Sequence, residues 1–191
     1  MKSGTKVLLI VGIIIVILAI SGISSYNNLI GKSEQVDSAR SQIDIQLERR
    51  SDLVPNLVAT VKEYAAHEEE IFTNVAEARS KLAGAGTVSE LAEADAELTG
   101  ALSRLIAIAE DYPDLKANEN FIQLQDELAG TENRIATARR DYNGAAKEFN
   151  TSIRRFPANL FAGMFGFEAA DYFEASEEGR ENPDVGDLFG D

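Results

Sequence analysis

Residues 121–156 read FIQLQDELAGTENRIATARRDYNGAAKEFNTSIRRF. Apolar or small residues recur in this stretch at alternating spacings of three and four, without a break from Phe121 to Phe156. That alternation is typical of an α-helix that packs one face against other helices. Alternate positions of the stripe are bulky and, after Leu124, small, so a partner helix can approach closely on one side. Pro157 predicts the end of this helix, because proline cannot continue the backbone hydrogen bonding.

The same spacing recurs upstream and predicts three shorter helices: Asn27–Arg50, Pro55–Leu82 and Ser89–Tyr112. The first predicted break is at Arg49–Asp52, since Pro55 fits the first turn of a new helix. The second is the glycine-containing loop Ala83–Thr87. The pattern therefore predicts an all-α fold in which about four long helices form a bundle.

A membrane-length apolar run, VLLIVGIIIVILAISGI, occupies Val7–Ile23 and carries no charge. Its residues span about 26 Å as a helix, at the short end of what crosses a bilayer core. A core helix would be amphipathic, and this run is apolar on every side. A cleaved signal peptide would have a shorter run and a clearer cleavage site than Ala19-Ile20-Ser21. We therefore expect an uncleaved anchor over residues 1–25.

The charges that flank this run predict its orientation. Lys2 and Lys6 precede it and only Lys32 follows closely, so the positive-inside rule places the N-terminus in the cytoplasm and the main body outside. Within the span, Gly12 and Ala19 are small residues beside which two copies of the helix can associate.

Composition excludes several classes of function. The chain has 18 basic and 32 acidic residues, a net charge of −14, which argues against a nucleic-acid-binding surface. It contains no cysteine, so a disulfide framework, thiol catalysis and a cysteine zinc site are excluded. Residues 168–191 hold nine acids and one base, so −8 of the net charge lies in this C-terminal segment.

Few residues suggest chemistry. Glu63, His67 and Glu70 can share a helical face, but with a single histidine we expect no metal site. Glu68 and Asp95 occupy core positions of otherwise apolar stripes. Each carboxylate needs a buried partner or must reach water where the stripe rotates away from the core.

Basic pairs and the end of the chain provide candidate contact surfaces. Arg49-Arg50 and Arg139-Arg140 either meet anionic lipid or acidic partners, or form surface ion pairs with neighbouring acids. Beyond the bundle, predicted over residues 26–157, residues 158–191 form an apolar and then acidic tail. Its apolar side chains either pack on the bundle, dock a partner or touch the membrane: Leu160, Phe161, Met164, Phe165 and Phe167.

Four segments resemble one known family: YNNLI at Tyr26–Ile30, IDIQLERRSDLVPNLVATVKEYAAHE at Ile43–Glu68, YPDLKANENFIQLQDELAGTENRIATARRDYN at Tyr112–Asn143 and FNTSIRRFPANLFAGMFGF at Phe149–Phe167. Together with the apolar run they are similar to the LemA family of bacterial membrane proteins. The resemblance implies one N-terminal membrane helix followed by an antiparallel bundle of long helices. It brings no catalytic mechanism. The residues of the turn at the start of the third segment are exposed candidates for a family-wide contact face: Asp111, Asp114, Lys116, Asn118 and Asn120.

These expectations combine into one hypothesis. The chain is a single-pass protein of the bacterial inner membrane that acts as a scaffold or protein-interaction module. We expect no enzymatic activity and no cofactor of its own. We expect other envelope proteins as partners, with self-association as a further option. The alternative is an accessory subunit of a membrane enzyme or protease system.

Overall fold

The computed structural model describes residues 3–174, and within that range the regular structure is helical with no β-strand. A 3₁₀ turn at Ile108–Glu110 separates two of the helices. The α-helices are α1 (Ser3–Tyr64), α2 (Glu69–Gly84), α3 (Val88–Ala107), α4 (Pro113–Lys116), α5 (Glu119–Arg154) and α6 (Ala158–Ala162). The predicted all-α fold is confirmed. Most of the acidic tail lies outside the described residues.

The described chain divides into two compact units. The anchor unit consists of residues 3–42 and 138–171, and the hairpin unit of residues 43–137 with residues 172–174. Helices α1 and α5 each contribute to both units. The predicted boundaries at residues 25 and 157 concern the membrane span and the tail, and this division by contacts does not test them.

Helix α1 is continuous over 62 residues, so the predicted break at Arg49–Asp52 is wrong. Pro55 lies inside the helix rather than in its first turn. Around it, Val54, Leu57 and Val61 are almost completely buried. The burial of this apolar face therefore outweighs the local preference of proline for a helix start.

A side chain satisfies the backbone group that Pro55 leaves without a helical donor. In an α-helix the carbonyl of residue 51 accepts from the N–H of residue 55, and proline has none. Here Arg79 of α2 donates from Nε to the Ser51 carbonyl oxygen at 3.1 Å and to Ser51 Oγ at 3.1 Å. The guanidinium thus replaces the missing backbone donor.

The actual break after α1 lies at residues 65–68, in the sequence AAHE. The Glu68 N–H donates to the Ala65 carbonyl, and the Glu68 carbonyl then accepts from Ile71 and Phe72 as α2 begins. Glu69 and Glu70 occupy the first turn of α2. Carboxylates at that end of a helix interact favourably with its dipole.

Helices α2 and α3 pack against each other as a helical hairpin, as the Ala83–Thr87 loop predicts. The loop ends in a capping box: the Thr87 hydroxyl accepts from the Glu90 N–H, and the Glu90 carboxylate accepts from the Thr87 and Gly86 N–H groups. These backbone hydrogen bonds lower the pKa of Glu90 below its usual range. Helix α3 therefore begins slightly before the predicted Ser89.

Helix α5 confirms the longest predicted helix, with one change along its length. Its first half buries the predicted Phe121, Leu128 and Ile135. Further on, Ala146 and Asn150 are buried while Ala145 and Ser152 are only half-buried. A straight helix drifts by about 20° per heptad relative to a period of 3.5, which moves its buried face to later residues.

Replacing Arg79 should destabilise the chain more when Pro55 is present than when Pro55 is replaced. We expect Arg79→Ala to lower the free energy of unfolding by about 1 kcal/mol, since it leaves the Ser51 carbonyl without its donor. In a Pro55→Ala background the alanine N–H reaches that carbonyl, so the same change should cost measurably less. Chemical denaturation of the four variants measures the coupling.

Arg104→Ala, at another exposed arginine, is the matched control and should cost the same in both backgrounds. Equal effects of Arg79→Ala with and without Pro55 would refute the compensation.

Candidate functional site

The first part of α1 is a candidate membrane span by length and composition. The helix is strongly apolar near the N-terminus, and its most apolar window is only 6% buried. Large side chains from Val7 to Ile23 point outward, with about half or more of their surface exposed. Gly12 and Ala19 lie on this exposed helix. Immediately after the run the same helix becomes a core element, because Leu29 and Val36 are buried in the anchor unit.

A cluster of five aromatic rings joins the C-terminal segment to α1 and α5 within the anchor unit. The Phe165 ring lies edge-on to Tyr26 with centroids 4.9 Å apart, and Phe167 lies 6.0 Å from Tyr26 and 6.1 Å from Phe149. Phe161 stacks on Phe165 at 6.2 Å. Each such pair contributes about 0.5–1.5 kcal/mol beyond simple burial. Phe161, Phe165 and Phe167 therefore pack on the chain itself, although Phe165 keeps 40% of its surface exposed.

The position of this cluster along α1 matters for function. The Phe161 ring also lies against buried Gly22, 3.5 Å from where a Cβ of that residue would be. Gly22 is the penultimate residue of the apolar run. Helix α6 therefore sits beside the end of the candidate span.

Asn150 of α5 forms hydrogen bonds with the backbone of the segment that follows the aromatic cluster. Its side-chain amide donates to the Ala170 carbonyl at 2.8 Å and accepts from the Ala170 N–H at 2.8 Å. Two turns of α5 earlier on the same side, the Tyr142 hydroxyl donates to the Asp171 carbonyl at 2.9 Å. Burial raises the pKa of Tyr142, Arg40 opposes that shift, and Asp171 and Asp37 add to it. Residues 170 and 171 are thus hydrogen-bonded to α5.

The remaining predicted contact residues stay exposed. Leu160 has 58% of its surface exposed and Met164 70%, and Phe156, which ends the predicted stripe, has 79%. Phe156 lies beyond the last residue of α5, so it leaves the helical face that its spacing predicts. These three side chains form the exposed apolar surface around α6.

A buried ion pair links α1 to α3 in the hairpin unit. Arg50 Nη1 lies 2.8 Å from Asp95 Oδ1, and both residues are only 4% exposed. The sequence left two outcomes for Asp95, and the structure gives it a buried partner. The surface role expected for Arg50 is wrong, because this arginine faces the core. Nearby on α1, Gln46 Oε1 and Arg50 Nε are buried without a hydrogen-bond partner among the described residues.

Glu68 is half-buried and lies in the break between α1 and α2, not within a continuous stripe. His67 is exposed beside it. Within residues 3–174, no group of three or more acidic, histidine or cysteine side chains lies close enough to hold a metal ion.

The turn residue Asn118 proves to be structural rather than a free contact residue. Its side chain accepts from the Phe121 N–H at 3.0 Å and donates to the Tyr64 hydroxyl at 3.0 Å. It therefore fixes the start of α5 against the end of α1. Asp111, Asp114, Lys116 and Asn120 are exposed, as expected.

The sequence reasoning missed three groups that organise the structure: Arg79, Arg50 and Asn150. For Arg79 a signal existed, since any proline inside a long helix leaves a carbonyl four residues earlier that needs a donor. For Asn150 the signal was weak. Its burial follows from the gradual shift of the buried face along α5, and it does not occupy a position of the stripe predicted by the three–four spacing. Arg50 stands one turn after Gln46 on the α1 face that contains Ile43 and Leu47, which is a usable sign of burial.

The fold and these sites define an all-α protein with one candidate N-terminal membrane span and a bundle-forming remainder. A model of the LemA family matches residues 39–186. The chain belongs to the LemA family.

Individual relatives carry two kinds of name. Magnetosome protein MamQ 2 of Paramagnetospirillum magneticum is 30% identical, over 81% of this chain and 66% of its own length. Magnetosome protein MamQ of Magnetospirillum gryphiswaldense is 28% identical with the same coverage. Protein LemA of Metamycoplasma hominis is 28% identical, over 85% of this chain and 74% of its own length. The chain thus spans just under two thirds of the magnetosome relatives.

Replacing only one residue of the buried ion pair should lower the free energy of unfolding more than replacing both residues. Asp95→Ala leaves the Arg50 charge buried without compensation and should lower the free energy of unfolding by about 3–5 kcal/mol. The double change Arg50→Met with Asp95→Leu should recover most of that loss. Denaturant unfolding provides both values.

Glu97→Ala is the control, since its exposed ion pair with Lys81 on α2 should contribute little. A double variant as unstable as Asp95→Ala alone would contradict this account.

Replacing Asn150 should release the chain around residue 170. Asn150→Leu conserves size but removes both hydrogen bonds, at a cost of about 1–3 kcal/mol for the unsatisfied groups. Asn150→Asp keeps an acceptor for the Ala170 N–H and loses the donor, so it should retain part of the protection. Hydrogen exchange of the Ala170 amide distinguishes the three forms, with Asn133→Leu at an exposed site of α5 as control. Unchanged exchange in Asn150→Leu would show that the rings alone hold this segment.

Proposed function

We propose that this protein is a membrane-anchored scaffold of the bacterial cell envelope, which binds other membrane proteins and has no chemistry of its own. The single observation behind the proposal is that α1 carries both the exposed apolar run and the buried Leu29 and Val36. The span is thereby part of a folded unit, and the unit would lose the end of its first helix if the run were removed.

The packing of the tail supports an anchor that is retained. Cleavage near Ala19-Ile20-Ser21 would cut α1 just before Gly22, against which Phe161 packs. Phe161 of the aromatic cluster thus contacts Gly22, which directly follows the residues where a signal peptide would be cleaved. A permanent anchor fits this arrangement better than a removable leader.

The residues that could suggest catalysis have structural surroundings in this chain. Asp95 is paired with Arg50, Glu68 stands at a helix start, and His67 is exposed. The family relatives named as magnetosome proteins and as LemA support a general membrane-associated role, and the magnetosome designation belongs to those relatives.

We further propose that the span lies in the inner membrane with the N-terminus in the cytoplasm and the hairpin unit outside. Lys2 and Lys6 before the run and Lys32 after it support this orientation. Partner contacts would use the apolar side chains that remain exposed. Among residues 43–137 the large ones are Ile45 of α1 and Ile122 of α5.

Single-cysteine variants test both the contacts and the orientation, since the natural chain has no cysteine. Ile45→Cys and Ile122→Cys in the full chain, treated in native membranes with a short thiol-to-amine crosslinker, should join one defined envelope protein or a second copy. Asp52→Cys, on an exposed polar position of α1, is the matched control. In spheroplasts, a membrane-impermeant maleimide should label all three cysteines without lysis.

Each outcome bears on a separate part of the proposal. Crosslinks from Ile45→Cys and Ile122→Cys no stronger than those from Asp52→Cys would overturn the scaffold role. A membrane enzyme or protease recovered in equal amount would favour the accessory-subunit alternative. Labelling only after lysis would reverse the orientation.

A further inference from the structure

We propose that the anchor unit binds the headgroup of an anionic phospholipid in a groove between α1 and α5. This proposal rests on the membrane anchoring proposed above. The groove has a volume of about 990 Å³ and is lined by α1 between Ile20 and Lys32, by α5 between Gly144 and Ser152, and by the start of α6. All of its lining residues belong to the anchor unit.

The groove is basic although the protein is acidic. Three of its lining residues are cationic, Lys32, Lys147 and Arg155, and one is acidic, Glu148, so its formal charge is 3 − 1 = +2. The whole chain carries −14. Lys32 Nζ is 3.1 Å from Glu148 Oε2, which neutralises one cation and leaves the charges of Lys147 and Arg155 for a ligand. An anion is therefore the ligand that this groove attracts.

Hydroxyl groups and small side chains suit the groove to a phosphate ester. Ser21, Ser24 and Ser25 line it from α1, and Thr151 lines it from α5. Ser152 also lines it, but its hydroxyl donates to the Glu148 carbonyl at 2.8 Å. Arginine and lysine bind phosphate oxygens through charge-assisted hydrogen bonds, and hydroxyls add neutral donors. The groove is also open to its surroundings, so a headgroup can enter without a change in the fold.

The place of the groove along α1 favours a lipid over a free anion. Its lining begins at Ile20, inside the apolar run, and passes Ile23, where the run ends. Polar headgroups occupy the few ångströms directly beyond the hydrocarbon core of a bilayer. A phosphate in this groove would thus lie at headgroup depth.

The exposed apolar surface of Phe156, Leu160 and Met164 supplies contacts for the acyl chains. Pro157 and Ala158 line the groove between the first two of these residues. Phe161, which lies in α6 next to Leu160, packs against Gly22 of α1. Apolar side chains next to cations are the combination by which peripheral segments insert at a bilayer interface.

Binding of short-chain lipids by the full chain in a neutral detergent tests the proposal. We expect dihexanoyl phosphatidylglycerol to bind at least tenfold more tightly than dihexanoyl phosphatidylcholine, and more weakly as the salt concentration rises. The double variant Lys147→Gln/Arg155→Gln should reduce phosphatidylglycerol affinity at least tenfold. Arg154→Gln, which removes an exposed arginine that does not line the groove, should leave the affinity unchanged.

Three results would overturn the proposal. The first is equal affinity for the two lipids, and the second is an equal loss in Arg154→Gln, which would reveal attraction by general charge. The third is competition by inorganic phosphate at the same concentration as phosphatidylglycerol, which would mark a free-anion site. Circular dichroism verifies that the variants fold. Alkaline carbonate extraction separates this test from the parent proposal, because an extractable chain refutes the anchor itself.

Discussion

The carbonyl of Ser51 stands inside a helix of 62 residues and has no backbone donor, because residue 55 is proline. Two solutions exist for such a chain: the helix ends, or another group hydrogen-bonds the carbonyl. This protein uses the second, through Arg79. The consequence is large, because one uninterrupted α1 contains the apolar run and contributes buried residues to both the anchor unit and the hairpin unit.

That constraint explains where prediction from the sequence succeeds and where it fails. Local sequence predicts the apolar run, the stripe of α5 and the Ala83–Thr87 loop, because each depends on residues close together in the chain. It fails at Arg49–Asp52, since the group that rescues the helix there comes from α2. It also misplaces Arg50: the spacing after Ile43 and Leu47 indicates a buried position, but the carboxylate that pairs with this arginine lies 45 residues away. Local signals report local preferences, and these two outcomes depend on contacts between helices.

The tail also shows that its own sequence predicts less than its contacts with distant residues reveal. Its aromatic residues predict packing, docking or membrane contact with no means of choosing among them. The structure divides the segment: Phe161, Phe165 and Phe167 turn toward Tyr26, Phe149 and Gly22, while Leu160 and Met164 face outward. Asn150 and Tyr142 then hold the following backbone. Within this one segment, some apolar side chains therefore pack on the chain and others are left exposed.

The net charge of the chain is a poor guide to the local charge of the groove between α1 and α5. A total of −14 argues against a nucleic-acid-binding surface, but screening limits the reach of exposed charges to about 10 Å or less at ordinary salt. Within that distance, the proposed phosphate ligand would meet the charged side chains that line the groove, Lys32, Lys147, Glu148 and Arg155, and not the average of the chain. Of the total, −8 belongs to residues 168–191, so the remaining chain is much less acidic than the sum suggests. An acidic protein can therefore present a basic groove to a membrane, provided that its acids are concentrated elsewhere in the sequence.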